Sequence, residues 1–63
     1  MLTIREYALL RDAVVADGVS LDTVAACDLF DIVAEACEVL DLPCDVGTVD
    51  DTTTSLLEEG APC

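Results

Sequence analysis

The chain has 63 residues, and its fourteen aspartates and glutamates face two arginines and no histidine, which gives a formal net charge of −12 at pH 7. That charge repels a phosphate backbone, so it excludes nucleic acid as a direct ligand, and its size is typical of a chain with a basic partner or a salt-rich solvent. Because 54% of the residues are apolar, the chain differs from disordered acidic tails. We expect residues 1–63 to fold as a single small acidic helical domain.

The first predicted helix runs from Ile4 to Ala16. Thr3 and Glu6 form a capping-box pattern, in which each side chain accepts a hydrogen bond from the backbone N–H of the other residue. Gly18 supplies a helix stop. Arg11 borders the apolar face, where its stem can pack while its guanidinium reaches a carboxylate. That face repeats at spacings of three and four residues, at Tyr7, Leu10 and Val14, and Ile4 and Val15 are predicted to widen it.

The second predicted helix is long, from Leu21 to Leu42. Ser20 is a candidate N-cap, and Pro43 ends the helix. Most of this helix is apolar, so it needs cover from two sides. It is therefore either the central helix of the fold or half of a homodimer interface, and both a monomer and a homodimer stay open. The centre of its apolar face is predicted at Leu29, Ile32, Val33, Ala36, Val39 and Leu40.

The prediction for the rest of the chain is a short, irregular C-terminal segment. Residues 44–49 alternate loosely and could be extended, and residues 50–54 offer several caps for a helical turn or two from Ser55 to Glu59. Gly60 and Pro62 would close that turn. The predicted fold class is all-α, a small three-helix arrangement with a long central helix.

Four acids on the second predicted helix follow one another at spacings of three, four and three residues. They are Asp28, Asp31, Glu35 and Glu38. At 1.5 Å of rise per residue they form a single row about 15 Å long. A solvated helix face normally mixes charges of both signs, whereas no lysine balances this row. Both a solvated face and a partner-binding row stay open, and further acids that could extend the row are Asp41, Asp45, Asp50 and Asp51.

The residues that usually support catalysis or metal binding are missing. The cysteines are separated by ten, seven and nineteen residues, without a paired C-x-x-C spacing or a histidine to complete a zinc site. Segment 45–51 lacks the alternating ligands and the closing glutamate of a calcium loop. Without histidine or lysine there is no ordinary base to activate a thiol. We expect a protein that is not an enzyme and that needs no metal and no cofactor; the cysteines are Cys27, Cys37, Cys44 and Cys63.

The predicted location is cytoplasmic. No segment approaches the roughly 18 consecutive apolar residues that a membrane span requires. Residues 1–6 lack the basic and apolar regions of a secretory signal. In a reducing compartment thiols stay free, so we interpret Cys27 and Cys37, on the apolar side of the second helix, as small buried apolar residues.

In size, charge and aliphatic composition the whole chain resembles the virus- and mobile-element-encoded inhibitors that mimic nucleic acid. Among them it is most similar to anti-CRISPR proteins that occupy the DNA-binding path of a type I surveillance complex. The resemblance implies a non-enzymatic inhibitor that binds a basic, DNA-binding protein surface, such as that of a Cas subunit in a host cell. Its partner-binding carboxylates would be those of Asp28, Asp31, Glu35, Glu38, Asp41, Asp45, Asp50 and Asp51.

Three alternatives stay open. An antitoxin, or another small regulatory partner of a basic protein, would use the apolar face as much as charge. A haloadapted protein also combines abundant aspartate with a lack of lysine. Finally, residues 20–24 at a predicted helix start resemble the region of acyl carrier proteins in which a serine receives phosphopantetheine, with Val19 where those carriers have an aspartate.

Overall fold

The computed structural model describes residues 2–60 and contains three α-helices. These are α1 (Ile4–Ala16), α2 (Ala26–Val39) and α3 (Val46–Gly60), and residues 2–60 contain no strand. The predicted all-α, three-helix fold is confirmed. Pro62 and Cys63, which entered the predictions, lie outside the described residues.

The observed bounds of α1 are the predicted ones, Ile4 and Ala16. Ile4 and Val15 were predicted to widen its apolar face, but both are exposed because they lie about 100° or more around the helix from the midpoint between the buried Leu10 and Val14. At its start the capping box is complete. The Thr3 backbone N–H donates to Glu6 Oε1 at 2.9 Å, and the Glu6 backbone N–H donates to Thr3 Oγ1 at 3.2 Å. At its end Gly18 has a φ of 92°, in the left-handed region that favours glycine, and it stops the helix as predicted.

The second helix is shorter at its start than the predicted Leu21 to Leu42, because Ser20 does not cap it. The Ser20 hydroxyl donates to Asp22 Oδ1 at 2.5 Å, and residues 21–23 form a turn. A serine whose hydroxyl is bonded within a local turn does not satisfy the first amides of a helix. Consequently α2 begins only at Ala26. The likeness to acyl carrier proteins depended on a helix that starts at Ser20, and that prediction is wrong.

At its other end α2 stops at Val39, before Pro43 is reached. Asp41 has a φ of 58°, the left-handed conformation that commonly follows a helix. The N–H of Leu42 donates to the carbonyl of Cys37 at 2.8 Å, and the N–H of Asp41 donates to that of Glu38 at 3.2 Å. This pair of bonds is a Schellman motif, so the chain reverses at Asp41 and the proline is not the cause.

The predicted irregular C-terminal segment is wrong, since α3 has 15 residues and is the longest helix of those described. Its start is capped by Asp45, which accepts the backbone N–H of Thr48 at 3.0 Å and the Thr48 hydroxyl at 2.9 Å. Residues 46–49 are thus the first turn of a helix and not an extended strand. Along α3, Thr52 and Thr53 donate their hydroxyls to carbonyls four residues earlier, which satisfies these buried groups.

The core lies where α2 packs against both α1 and α3, so α2 is the central helix in packing, as predicted. Each helix contributes apolar side chains at spacings of four or seven residues. The fully buried ones are Leu10, Val14, Leu29, Val33, Cys37, Val49 and Leu56. Because α2 turns its buried side towards both neighbours, its opposite side is left for solvent or a partner.

Candidate protein-binding surface

The outward face of α2 carries four acids that we call the acidic row, namely Asp28, Asp31, Glu35 and Glu38. All four side chains are exposed. The buried residues of the same helix are Leu29, Val33 and Cys37. On a helical wheel the centre of the acidic row lies about 180° from the centre of the buried set. The structure thus brings these four predicted residues together on one face.

No cation of the described residues 2–60 pairs with the acidic row. Among residues 2–60 there is one ion pair, and it joins Arg11 of α1 to Glu59 of α3, with 3.2 Å between Nη1 and Oε1. The prediction that Arg11 reaches a carboxylate is therefore confirmed. Arg5, the other arginine, is exposed on α1. A partner that approaches α2 meets four formal negative charges.

The other four predicted acids do not continue the row. Asp41 lies in the turn after α2, whereas Asp50 and Asp51 are exposed on α3. Asp45 caps α3, and hydrogen bonds from the Thr48 hydroxyl and backbone N–H hold the pKa of Asp45 below its usual range. Asp45 therefore has a structural role that its acidity alone did not reveal.

A depression of about 360 Å³ borders the acidic row, between the C-terminal halves of α1 and α2. Glu35 and Glu38 lie on its rim, beside Ile32, Ala36 and Val39. Val39 was predicted at the centre of the apolar face, but it is 84% exposed. On the wheel it lies about 120° from the centre of the buried set, which explains the difference. The acidic row thus has an exposed apolar residue at one end.

A larger groove of about 570 Å³ lies between the start of α1 and the outer side of α3, and the sequence did not predict it. Near one end, the hydroxyl of Tyr7 donates to Glu59 Oε2 and Arg11 pairs with Glu59 Oε1. Burial, together with the hydrogen bond to Glu59 and its charge, raises the pKa of Tyr7 to about 12. In the sequence, the position of Arg11 beside the apolar face of α1 was the feature that indicated its contact with a carboxylate.

The three cysteines that the structure describes are free thiols, one of them buried and two exposed. Cys37 is buried, and burial raises the pKa of its thiol. Cys27 was predicted to be buried but is exposed, because it lies about 120° around α2 from the centre of the buried set. Cys44 is exposed, and its Sγ donates to the carbonyl of Leu42 at 3.1 Å.

Within the described part of the chain, no three histidine, cysteine, aspartate or glutamate side chains come together in a group that could hold a metal ion. None of the helices described there combines the length and the apolar character that crossing a bilayer requires. What the acidic row can do chemically is accept hydrogen bonds and ion pairs from arginine and lysine.

Comparison of the chain with protein-family models, curated protein sequences and solved structures gave no match.

Proposed function

We propose that the protein is a non-enzymatic inhibitor that occupies a basic, nucleic-acid-binding surface of another protein. In this proposal the acidic row of α2 takes the place of a phosphate backbone. The observation that carries the proposal is that four carboxylates are exposed on a single face of one helix, where no cation of residues 2–60 pairs with them.

The spacing of the acidic row supports this proposal. Its four charges span about 15 Å along the helix axis, or one charge per about 5 Å. One strand of B-DNA carries a phosphate about every 3.4 Å of axis, and the duplex carries one about every 1.7 Å. The row therefore approaches the charge density of one strand more than that of a duplex. A helix holds such charges in place without the ordering cost of a flexible acidic tail.

The target that we propose is the DNA-binding path of a type I CRISPR-Cas surveillance complex, on the grounds of the similarity to anti-CRISPR proteins in size, charge and composition. A net charge of −12 steers the chain towards such a surface and accelerates encounter. Exposed charges are screened beyond about 8 Å at physiological ionic strength, so inhibition should weaken as salt is added. The same charge opposes association of two copies, which favours a monomer.

The test is a competition assay with a purified type I surveillance complex and its fluorescent target DNA. The Asp31→Lys, Glu35→Lys double variant reverses two of the four charges of the acidic row. The Asp12→Lys, Glu58→Lys double variant is the matched control, because it changes net charge equally at two exposed acids outside the acidic row. We expect the wild type and the control to displace DNA, and the row variant to fail while circular dichroism shows unchanged helix content. Equal losses in both variants, or none in either, would contradict the proposal.

An antitoxin-like or regulatory role is the second candidate, and the exposed Val39 beside the acidic row favours it. A partner that covers Val39 gains from apolar burial, which salt does not screen. Binding that persists in molar salt and is lost in Val39→Ser would favour this role. Binding that salt abolishes would favour the nucleic-acid mimic.

A further inference from the structure

The groove between α1 and α3 has two unlike walls. On the α1 side it is lined by Leu2, Ile4 and Tyr7, which are mainly apolar. On the α3 side it is lined by Asp51, Ser55 and Glu58, at the spacings of four and three residues that share one helix face. Within the part of the chain described, α2 contributes no residue to it. We call it the α1–α3 groove, and it shares no residue with the acidic row.

The apolar wall contains a side chain that the fold itself does not use. Ile4 is 89% exposed, more than any other large apolar residue described, and it lies at the first position of α1. Helix starts readily accept polar residues, so helix formation does not require isoleucine there. Covering Ile4 would remove apolar surface from water, which favours a partner with an apolar side chain.

The acidic wall keeps two carboxylates for a partner. Glu59 already accepts from Tyr7 and pairs with Arg11 near one end of the groove. Neither Asp51 nor Glu58 takes part in an ion pair with another described residue. These two residues are seven positions apart on α3, which places them about 10 Å apart along the helix axis. Two basic residues seven positions apart on a second helix would match that separation.

We propose that the α1–α3 groove binds a cationic amphipathic helix of a partner protein. An apolar side chain of that helix packs against Ile4 and Leu2, while arginines or lysines on its flank pair with Asp51 and Glu58. Charge complementarity selects this occupant, because a second copy of the chain would bring a further −12 to the same wall. The inference goes beyond the proposed inhibition of DNA binding, since it concerns other residues and another kind of partner.

The test is a titration of the full chain with a labelled synthetic helical peptide that carries leucines on one face and arginines seven residues apart beside them. The control peptide has the same composition in a scrambled order that is not amphipathic. We expect the amphipathic peptide to bind at least tenfold more tightly. Ile4→Ser should weaken binding about fivefold or more, whereas Val46→Ser, at a residue that is 74% exposed outside the groove, should leave it unchanged.

Charge variants show where the peptide binds. The Asp51→Lys, Glu58→Lys variant should weaken binding about tenfold, and the Asp12→Lys, Asp17→Lys variant, with the same net charge at two exposed acids outside the groove, should weaken it much less. Equal binding of both peptides, or equal effects of both charge variants, would overturn the proposal. The proposal would also be overturned if the Asp31→Lys, Glu35→Lys variant lost more peptide affinity than the charge-matched control variant, since the peptide would then bind to the acidic row.

A second copy of the chain is the alternative occupant of the α1–α3 groove. Sedimentation equilibrium of the wild type should show a monomer. Self-association that Ile4→Ser removes would identify a second copy as the occupant and overturn the proposal. Failure of the DNA competition assay leaves these measurements unaffected, so the two proposals fail separately.

Discussion

Tyr7 of α1 donates its hydroxyl hydrogen to Glu59 of α3, which lies fifty-two residues further along the chain. The same carboxylate pairs with Arg11, one turn after Tyr7. Whereas α1 and α3 both pack mainly against α2, these side chains form a direct polar link between the two outer helices. The link holds the two walls of the α1–α3 groove in register.

We predict that Tyr7 ionises with a pKa of about 12 in the folded protein. The chain has one tyrosine and no tryptophan, so near-ultraviolet absorbance reports this single phenol. Glu59→Gln should lower the pKa of Tyr7 but leave it above 10, because burial, the largest cause, remains. Since folding raises this pKa, its contribution to stability is present below about pH 10 and is lost as the pH rises towards 12. Glu58→Gln is the control, and a wild-type midpoint near 10 would contradict the contact.

The second prediction concerns two glycines of α3. A Cβ on Gly60 would lie 2.4 Å from the carbonyl oxygen of Leu21, in the turn before α2, whereas a Cβ on Gly47 would lie 3.6 Å from Asp45 Oδ2. Gly60→Ala should lower the free energy of unfolding by about 1 to 3 kcal/mol, because backbone must shift to make room. Gly47→Ala should raise it by about 0.5 kcal/mol, since alanine restricts the unfolded chain. Urea denaturation measures both, and equal effects would show that the end of α3 does not pack against Leu21.

These contacts show which parts of the fold the sequence could predict. The start of α1 was predictable because a capping box joins residues three positions apart and needs nothing else. The start of α2 was not, because Ser20 had a competing partner in Asp22 that the pattern does not distinguish from a helix cap. Its end was missed because Asp41 adopts a left-handed conformation that is usually assigned to glycine.

The third helix was predicted only as a turn or two from Ser55 to Glu59, and its full length was missed for a different reason. Gly47 and three consecutive threonines give α3 a poor intrinsic helix propensity. Burial of Thr52, Thr53 and Leu56 against the rest of the core outweighs that propensity, and this is a tertiary effect. Of the surfaces, the acidic row was predictable from spacing on one helix. The α1–α3 groove was not, since its walls come from opposite ends of the chain.

The third prediction is that the ionisation of Asp45 makes the stability of the fold depend on pH in the acidic range. Hydrogen bonds from Thr48 lower the pKa of Asp45 in the folded state, so its contribution is present above the unfolded pKa of about 3.9. It is lost as the pH falls through the lower, folded pKa. Asp45→Ala should lower the urea midpoint at pH 6, and the difference from the wild type should shrink towards pH 2. Asp50→Ala, at an exposed acid of the same helix, is the control. A difference that does not change with pH would show that the cap is not the carboxylate.

The last prediction separates a chain adapted to a basic partner from one adapted to molar salt. A net charge of −12 destabilises any compact state, and potassium chloride at 1 M shortens the screening length from about 8 Å to about 3 Å. The midpoint of thermal unfolding should therefore rise with salt. The core nevertheless includes Leu10, Leu29 and Leu56 at 0% exposure, and their burial does not depend on salt. We accordingly expect full helix content in dilute buffer by circular dichroism. A chain that folds only in molar salt would favour the haloadapted alternative, because its carboxylates would then need cations from the solvent instead of a protein partner.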